Sequence, residues 1–236
     1  MTTDLHLETI TPGMQEVLTA LMDMPALQHF RLVGGTALAL QLGHRVSVDL
    51  DLFTDQTTDF EELGRSVHAV FPKAILLTRS SNGQTWSIEN VKCDLFDWKI
   101  PFLNPPHVEG NWRLASMEDI VAYKLEAFAD RKSEKDFRDI AEILRRLSFG
   151  TVVSAFRRRY PFIQTGAILP LLLKPEIVVR DASIQMLREG SIDTDAILIA
   201  ESVRTYEAAL VKEIQDKAAA KDRHLRTLLE QKKKRD

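Results

Sequence analysis

Two aspartates separated by one residue, Asp49 and Asp51, lie in the apolar stretch VSVDLDLF. Side chains alternate between the two faces of a β-strand, so a strand here places both carboxylates on one face and both leucines on the other. The stretch VKCDLFD has the same alternation and carries a third aspartate, Asp94. Like charges this close repel one another unless a cation neutralises them, and Mg²⁺ prefers oxygen ligands. The spacing therefore predicts that Asp49, Asp51 and Asp94 bind divalent metal.

A glycine pair, Gly34 and Gly35, interrupts the chain shortly before these aspartates. It follows strand-like residues 30–33 and precedes TALALQLG, which is typical of a helix that ends at Gly43. Because glycine has no Cβ, the backbone can approach a ligand closely here, and amide groups at the start of a helix bind phosphate. Thr36 adds a hydroxyl at the same place. The turn is therefore predicted to hold the phosphates of a nucleotide.

Each of these two features has a simpler explanation when it occurs alone. An isolated Asp-x-Asp is usually a solvated strand face, and an isolated Gly-Gly is usually a turn. Together, a phosphate cradle and a set of metal-binding carboxylates are typical of nucleotidyl transfer, in which two Mg²⁺ ions assist the displacement at phosphorus. The sequence therefore predicts an enzyme that uses Mg²⁺ and an NTP substrate.

Bulk composition narrows the class of protein. The chain has 236 residues, of which 44% are hydrophobic, so it can bury a substantial core. With 31 basic and 34 acidic side chains its formal net charge is -3, which excludes a global electrostatic attraction to nucleic acid or membrane. The single cysteine, Cys93, excludes an internal disulfide. No apolar run approaches the ~20 residues that span a bilayer, and the start has no leader pattern, so we predict a cytoplasmic protein.

Strand-like and helical patterns mix in the first half of the chain, and only helical patterns follow about residue 116. The proline-rich stretch KIPFLNPPHVEGNW between the halves is typical of a connection. Ser116 and Ser133 each precede a carboxylate by three residues, which predicts capping boxes at the starts of two helices. We therefore predict an α+β fold with a nucleotidyltransferase core, residues 1–115, whose mixed β-sheet is flanked by helices. An all-helical region, residues 116–236, follows.

Two stretches carry a resemblance to a known family. GGTALALQLGHRVSVDLDLF resembles the polymerase-β-like nucleotidyltransferase superfamily, and more narrowly the AbiEii/AbiGii toxins of bacterial abortive-infection and toxin-antitoxin systems. MEDIVAYKLEAFADRKSEKDFRDIAEIL is similar to that family's pattern of a lysine helix followed by Arg, then Lys-Asp and a further Asp. The resemblance covers most of Arg31 to Leu144. It reaches no motif after about Phe149.

The resemblance implies roles for individual residues. Gly34, Gly35 and Thr36 would hold the triphosphate, Asp49 and Asp51 would bind metal, Asp94 would complete the carboxylate set, and Lys124 and Asp136 would form the second-half motifs. It also implies a toxin that is controlled by an antitoxin protein. The implied reaction transfers an NMP to an acceptor hydroxyl, with the 3′ end of tRNA as the acceptor.

Lys124 stands out without the resemblance as well. On a helix that follows Ser116, Lys124 falls within the apolar arc, where lysine is unusual. One interpretation is a lysine whose aliphatic stem covers the core while its ammonium reaches solvent. The other is a helix that presents Lys124 and Arg131 to phosphate or nucleobase across a cleft. Asp136 is equally ambiguous, because the carboxylate of a capping box can be purely structural.

Other residues near the aspartates are weaker candidates. Arg45 and Ser47 flank the aspartate strand, where they either orient its carboxylates or face solvent. His44 has no second histidine or cysteine at metal-ligand spacing, which argues against a zinc site. Cys93 alternates into the apolar face, which predicts a small core residue rather than a nucleophile.

Basic clusters concentrate in the helical half, namely Arg145, Arg146, Arg157, Arg158, Arg159 and the tail from Lys232 to Arg235. On a chain of negative net charge they predict a segregated basic surface that suits an RNA backbone. Two alternative functions stay open. The first is nucleotidyl transfer to a protein or to a small molecule such as an antibiotic, and the second is a noncatalytic nucleotide-binding module.

Overall fold

The structure is a computed structural model that describes residues 5–233, with side chains described to residue 221. The first half alternates helices and strands. In chain order its elements are a 3₁₀ turn at Leu7–Thr9, α1 (Pro12–Asp23), a 3₁₀ turn at Pro25–Leu27, β1 (Arg31–Leu32), α2 (Gly34–Leu42), β2 (Asp49–Thr54), α3 (Phe60–Val70), β3 (Ile75–Ser80), β4 (Gly83–Ile88) and β5 (Val91–Asp97).

The rest of the chain begins with two short strands and continues as helices. Its elements are β6 (His107–Glu109), β7 (Trp112–Leu114), α4 (Met117–Arg131), α5 (Glu134–Leu144), α6 (Phe149–Arg159), α7 (Thr165–Ile168), 3₁₀ turns at Leu169–Leu173 and Pro175–Ile177, and α8 (Ile192–Lys233). Within the described chain, every named helix or strand from α4 onward is helical, which agrees with the predicted pattern.

One mixed sheet contains the seven strands found between residues 5 and 233. Its strand order is β3-β4-β5-β2-β1-β7-β6, in which the β2·β5 and β1·β7 pairs are parallel and the other neighbours are antiparallel. Helices pack against this sheet and against one another. The predicted α+β fold with a mixed sheet flanked by helices is confirmed.

The parallel pairing of β2 with β5 sets the geometry of the site. Residues on one face of this pair stand in three rows along the strands, Asp49 beside Lys92, Asp51 beside Asp94, and Phe53 beside Phe96. The alternate residues, Leu50, Leu52, Cys93 and Leu95, have no exposed surface and belong to the core. The predicted core position of Cys93 is confirmed. Strand alternation therefore separates a polar face from a buried one.

The prediction of a plain connection at KIPFLNPPHVEGNW was wrong. This segment contains β6 and the start of β7, and β7 pairs in parallel with β1 through Leu114 and Leu32. Its prolines precede the two strands rather than interrupt them, so the missing proline N–H groups do not disturb the strand pairing. Strands of three residues are too short for an alternation signal to show in the sequence.

The two halves of the chain share one hydrophobic core. Buried side chains of α4 and α5, such as Leu125 and Phe137, belong to the same cluster as Leu38 of α2 and Leu50 of β2. The division into two regions at residue 115 stays a prediction. The two regions pack against each other around the aspartates. In the described range, no helix has an apolar stretch long enough to cross a membrane.

Helix α8 leaves the core along its length. Val203 is 7% exposed, whereas Leu210 is 43% and Ile214 is 59% exposed, so the apolar stripe continues beyond the part of the helix that packs. The basic tail from Lys232 to Arg235 lies outside the residues whose side chains are described.

Candidate active site

The three predicted metal-binding carboxylates lie together on the polar face of the sheet. Asp49 and Asp51 follow one another on β2, and Asp94 stands beside Asp51 on β5. All three side chains are partly buried. Asp94 accepts hydrogen bonds from Thr85 Oγ1 at 2.6 Å and from Lys92 Nζ at 2.7 Å. Its carboxylate is therefore held in place on the side away from Asp51.

Asp51 lies in an unfavourable electrostatic position. Burial, together with the neighbouring charge of Asp94, raises the pKa of Asp51 to about 6, although Lys124 acts in the opposite direction. The carboxylate also lies against Gly34, so closely that a Cβ at this position would collide with it. Gly34 has a φ of 66°, which strains any other residue. A bound cation would relieve the repulsion between the two aspartates.

Helix α2 begins beside these carboxylates. Its N-cap residue, Val33, makes no side-chain capping hydrogen bond, so the N-cap side chain does not compete with an anion for the first turn. The guanidinium of Arg45 occupies the space that a Cβ of Gly35 would need. The hydroxyl of Thr36 lies 2.8 Å from Ser47 Oγ and contacts the Asp49 carbonyl, so it joins α2 to β2. Glycine thus lets a carboxylate and a cation approach the backbone from two sides.

A buried group of charges lies where α4 and α5 meet. Lys124 Nζ is 2.9 Å from Asp136 Oδ1 and 2.7 Å from Asp139 Oδ2. Arg131 Nε donates to Asp136 Oδ2 at 2.6 Å. Although burial raises the pKa of Asp136, Lys124 and Arg131 hold it below its ordinary value. Asp136 is therefore a charged partner of Lys124 and Arg131.

Asp139 is the centre of this group. It has no exposed surface and accepts hydrogen bonds from Arg45 Nε at 2.7 Å, Arg45 Nη2 at 2.9 Å and His44 Nε2 at 2.8 Å. Although burial opposes ionisation, Arg45 and Lys124 hold the pKa of Asp139 well below its ordinary value. We define the buried ion cluster as His44, Arg45, Lys124, Asp136 and Asp139, together with Arg131, whose side chain is 59% exposed.

Sequence reasoning did not select Asp139 as a site residue. A signal was present, because Asp136 and Asp139 are three residues apart and so share one face of α5. His44 and Arg45 were only weak candidates, since nothing local shows that they meet Asp139, which is 94 residues or more away along the chain. The structure brings all of them to the glycine turn.

Two predictions about α4 and α5 were wrong. Ser133 makes no side-chain capping hydrogen bond, and the carboxylate of Asp136 pairs with Lys124 and Arg131, so the predicted capping box does not form there. The solvent-reaching interpretation of Lys124 also fails, since its side chain is 7% exposed and its ammonium is ion-paired. The serine cap predicted at Ser116 does form, with Ser116 Oγ accepting from the Asp119 backbone N–H at 3.1 Å.

The predicted segregated basic surface was wrong in part. Arg159 is 2% exposed, because its guanidinium is paired with Asp119 at 3.3 Å and lies 3.9 Å from the centre of the Tyr123 ring. Arg145 is paired with Glu142 and Asp195 but is 41% exposed. Arg146, Arg157 and Arg158 are also exposed. Of these five arginines, Arg159 is therefore the internal ion-pair partner.

Two clefts meet at the carboxylates. The polar cleft includes Thr36, Arg45, Ser47, Asp49, Lys92, Ser133, Lys135 and Ser183. The aromatic cleft includes Val33, Phe53, Trp98, Tyr123, Glu126 and Ala127. Both clefts are lined by Gly35, Asp51, Asp94, Lys124 and Arg131. Every site residue predicted from the sequence except Asp136 lines one or both clefts, and Asp136 is buried behind them.

No group of three or more His, Cys, Asp or Glu side chains in the described range could by itself hold a metal ion. Proteins commonly bind Mg²⁺ through one or two carboxylates together with substrate phosphates, so the metal role of Asp49, Asp51 and Asp94 stays a prediction.

Comparisons with known proteins support a nucleotidyltransferase. The family described as nucleotidyl transferase AbiEii toxin, Type IV TA system, matches residues 16–79, which include the glycine turn and the aspartate strand. The uncharacterised protein aq_aa25 of Aquifex aeolicus (strain VF5) is 29% identical over 136 residues, which cover 56% of this chain and 66% of that protein. The match therefore spans just under two thirds of that relative.

Solved structures from Helicobacter pylori share the fold. The crystal structure of JHP933 has a TM-score of 0.54 at 18% identity and covers 88% of this chain and 94% of its own. A second H. pylori structure, a candidate nucleotidyltransferase, has a TM-score of 0.53 at 18% identity and covers 84% of this chain and 93% of its own. The predicted resemblance to the AbiEii nucleotidyltransferases is confirmed by the family match, and the fold agrees with it.

Proposed function

We propose, starting from this nucleotidyltransferase family and fold, that the protein transfers an NMP from an NTP to an acceptor hydroxyl with the help of Mg²⁺. The observation that carries the proposal is the row formed by Asp51 and Asp94, which lies between the glycine turn and the buried ion cluster. These three features surround one point with carboxylates, backbone amides and cations. A nucleoside triphosphate bound to metal needs all three.

The side chains fit divalent metal by their chemistry. They offer oxygen ligands only, and Asp51 is a carboxylate whose pKa is raised to about 6 by burial and by the neighbouring charge of Asp94, which supports a site for a cation. Asp49 and Asp51 would hold the metal together with Asp94, and phosphate oxygens would complete the ligand set. When bound, Mg²⁺ neutralises charge that develops on the α-phosphate and the leaving pyrophosphate.

The protein's own residues then have distinct tasks. The acceptor oxygen forms a bond to the α-phosphorus as the bond from that phosphorus to the β-phosphate bridging oxygen breaks, and pyrophosphate leaves. Asp94 receives the proton of the acceptor hydroxyl. Lys124 and Arg131, which line both clefts, face the phosphates. Asp136 and Asp139 keep those cations in place.

We further propose that the acceptor is the 3′ end of tRNA and that the protein acts in the cytoplasm as the toxin of an AbiE-like system with an antitoxin partner. The resemblance to AbiEii toxins supports this biological role. The exposed Arg146, Arg157 and Arg158 support a polyanionic acceptor, because arginine contacts phosphate well. These three arginines form a smaller basic surface than the sequence predicted.

Labelled NTPs, Mg²⁺ and total cell RNA test the proposal. We expect labelled RNA of tRNA size, and we expect labelling to fall steeply as salt weakens phosphate contacts. Periodate oxidation of the terminal ribose should abolish labelling if the 3′ hydroxyl is the acceptor. Asp51→Asn serves as the inactive control, and Asp130→Asn, on an exposed part of α4, serves as the matched active control.

Three results would contradict parts of the proposal. Label that appears in protein or in a small molecule would show that the acceptor is not tRNA. Equal labelling of intact and oxidised RNA would exclude the terminal ribose. Absence of transfer with any NTP, with and without the antitoxin, would favour a noncatalytic nucleotide-binding module.

A further inference from the structure

The aromatic cleft has a composition that phosphate chemistry does not explain. Phe53 and Trp98 lie parallel, with ring centres 5.7 Å apart and an interplanar angle of 8°. Tyr123 meets both rings edge-on, at 5.6 Å from Phe53 and 6.2 Å from Trp98. These rings form a continuous wall beside the carboxylates. Such a wall binds flat, apolar groups better than charged ones.

The order of the rows along β2 and β5 places this wall. The Asp49 row lies toward the polar cleft, the Asp51 row is central, and the Phe53 row lies toward the aromatic cleft. Each row lies two positions along the strands from the next, which corresponds to about 7 Å. A nucleotide has the same order of chemical groups, with phosphates, then a ribose, then a base.

The wall is held rigidly. The Trp98 backbone N–H donates to the Thr54 carbonyl at 2.8 Å, which extends the pairing of the two strands past the end of β5. Tyr123 is fixed by the guanidinium of Arg159, which lies 3.9 Å from its ring centre and contacts its hydroxyl. The hydroxyl is therefore occupied, and the ring remains as the part of Tyr123 that faces the cleft.

One hydrogen-bond acceptor lies beside the wall. Glu126 is partly buried, three residues after Tyr123 on α4, and lines the aromatic cleft. A carboxylate accepts hydrogen bonds from the exocyclic amino groups of bases. The other charged side chains that line this cleft, Lys124, Arg131, Asp51 and Asp94, also line the polar cleft and belong to the proposed phosphate and metal site.

We infer that the aromatic cleft of Phe53, Trp98 and Tyr123 binds the base of the NTP, with Glu126 accepting a hydrogen bond from an amino group of that base. The inference rests on the proposed function and adds the place and the recognition of the nucleoside. The triphosphate then extends from the shared carboxylates into the polar cleft. Base and phosphates are thus bound by different sets of residues.

Binding measurements separate the two clefts without requiring transfer. Trp98 reports on the aromatic cleft by fluorescence, since Trp86 and Trp112 are buried at 1% and 9% exposure. Titration of the full chain with each of the four NTPs in Mg²⁺ should quench Trp98. Inorganic tripolyphosphate, which has no base, should bind without that quenching, and the Trp98→Phe variant should lose the NTP-dependent signal.

A substitution in the wall tests the same point by calorimetry. Phe53→Leu should weaken NTP binding about fivefold or more, since base stacking on an aromatic ring contributes about 1–3 kcal/mol, and should leave tripolyphosphate binding unchanged. Phe71→Leu is the matched control, because Phe71 is also partly buried but lines neither of the two clefts. Glu126→Gln should reduce any preference for amine-bearing bases over uracil.

Several outcomes would overturn the inference. Quenching by tripolyphosphate equal to quenching by NTPs would show that Trp98 does not report on a base. Unchanged NTP affinity in Phe53→Leu would remove the base from this cleft, and quenching by an RNA 3′ end but not by NTPs would assign the cleft to the acceptor. Equal binding of UTP and the other NTPs, before and after Glu126→Gln, would show that Glu126 does not recognise the base. If NTPs bind as expected but no transfer occurs, the proposed function fails and this inference stands.

Discussion

Two pairs of aspartates lie close together in this protein in opposite electrostatic surroundings. Asp51 and Asp94 stand side by side on the sheet, and their mutual repulsion contributes to the raised pKa of Asp51. Asp136 and Asp139 share a face of α5, yet their partners Lys124, Arg131 and Arg45 hold both pKa values below the ordinary range. The same chemical group is left available for a ligand in one region and is neutralised by the protein in the other.

The difference shows how the fold divides its charges. In the buried ion cluster each carboxylate is paired with two of the three cations, which fixes the position of Lys124 and Arg45 at the edge of the cleft. The sheet carboxylates lack such partners, apart from Lys92 beside Asp94, and so favour an external cation. A buried charge that is paired inside the protein stabilises position, whereas one left unpaired costs stability until ligand binds.

The largest expected effect comes from Asp139→Ala. It would leave Arg45, His44 and Lys124 without their shared buried acceptor, so the free energy of unfolding should fall by about 3–5 kcal/mol. Urea denaturation at pH 7 measures this, with Asp130→Ala on the exposed side of α4 as the control. A loss no greater than that of the control would show that the cluster is not structural.

The pH dependence of the same variant sharpens the test. The folded-state pKa of Asp139 lies below its unfolded value, so its contribution is complete above the unfolded pKa of about 3.8. The contribution is lost as pH falls through the lower folded-state value. We therefore expect the stability difference between wild type and Asp139→Ala to stay constant from pH 6 to 8 and to shrink only in strong acid.

Lys124→Met is expected to have the next largest effect. Methionine fills a similar volume, but Asp136 and Asp139 lose a shared buried cation while Arg45 and Arg131 remain. The free energy of unfolding should fall by about 2–3 kcal/mol, and affinity for tripolyphosphate should fall as well. Unchanged stability in urea would restore the solvent-reaching interpretation of this lysine.

Asp51→Asn should have the opposite sign. The folded-state pKa of about 6 exceeds the ordinary 3.8, so the ionised carboxylate destabilises the metal-free protein more and more as pH rises through 6. At pH 8 the variant should be more stable by about 2 kcal/mol in EDTA, and the gain should fade toward pH 4. Thermal denaturation across this range, with and without Mg²⁺, checks it.

Transfer activity of the same variants distinguishes the sheet aspartates from the aspartates of the buried ion cluster. Asp51→Asn should lose transfer while gaining stability, whereas Asp139→Ala should lose both. Wild-type transfer by folded Asp51→Asn would remove this carboxylate from the metal site. If Asp51→Asn were less stable than wild type at pH 8, this would contradict the interpretation that the protein leaves the charge of Asp51 unneutralised.

The smallest effect distinguishes the two serines that were expected to cap helices. Ser116→Ala should cost about 1 kcal/mol, because its hydroxyl accepts from the Asp119 backbone N–H. Ser133→Ala should change stability by less than about 0.5 kcal/mol, since its side chain makes no capping hydrogen bond. Equal losses in the two variants would mean that Ser133 caps α5 after all.

Local patterns predicted much of this site. The alternation of VSVDLDLF placed Asp49 and Asp51 on one face, and VKCDLFD did the same for Asp94, since strand alternation depends only on neighbouring residues. The end of α2 at Gly43 with its φ of 66° follows from the same local chemistry. Identical serine patterns at Ser116 and Ser133 nevertheless had different outcomes, although the carboxylates of both patterns form ion pairs, so the pattern alone does not decide capping.

The sequence by itself determined the class of chemistry: a glycine turn, an Asp-x-Asp strand and a later strand aspartate, each specified within a few residues. Tertiary structure alone decided that β2 and β5 pair in the register that sets Asp51 beside Asp94, and that Asp139 meets His44 and Arg45. It also placed Tyr123 of α4 against Phe53 of β2 to form the aromatic cleft. The physical reason is that local conformation follows from adjacent residues, whereas strand register and buried ion pairs depend on how distant segments pack into one core.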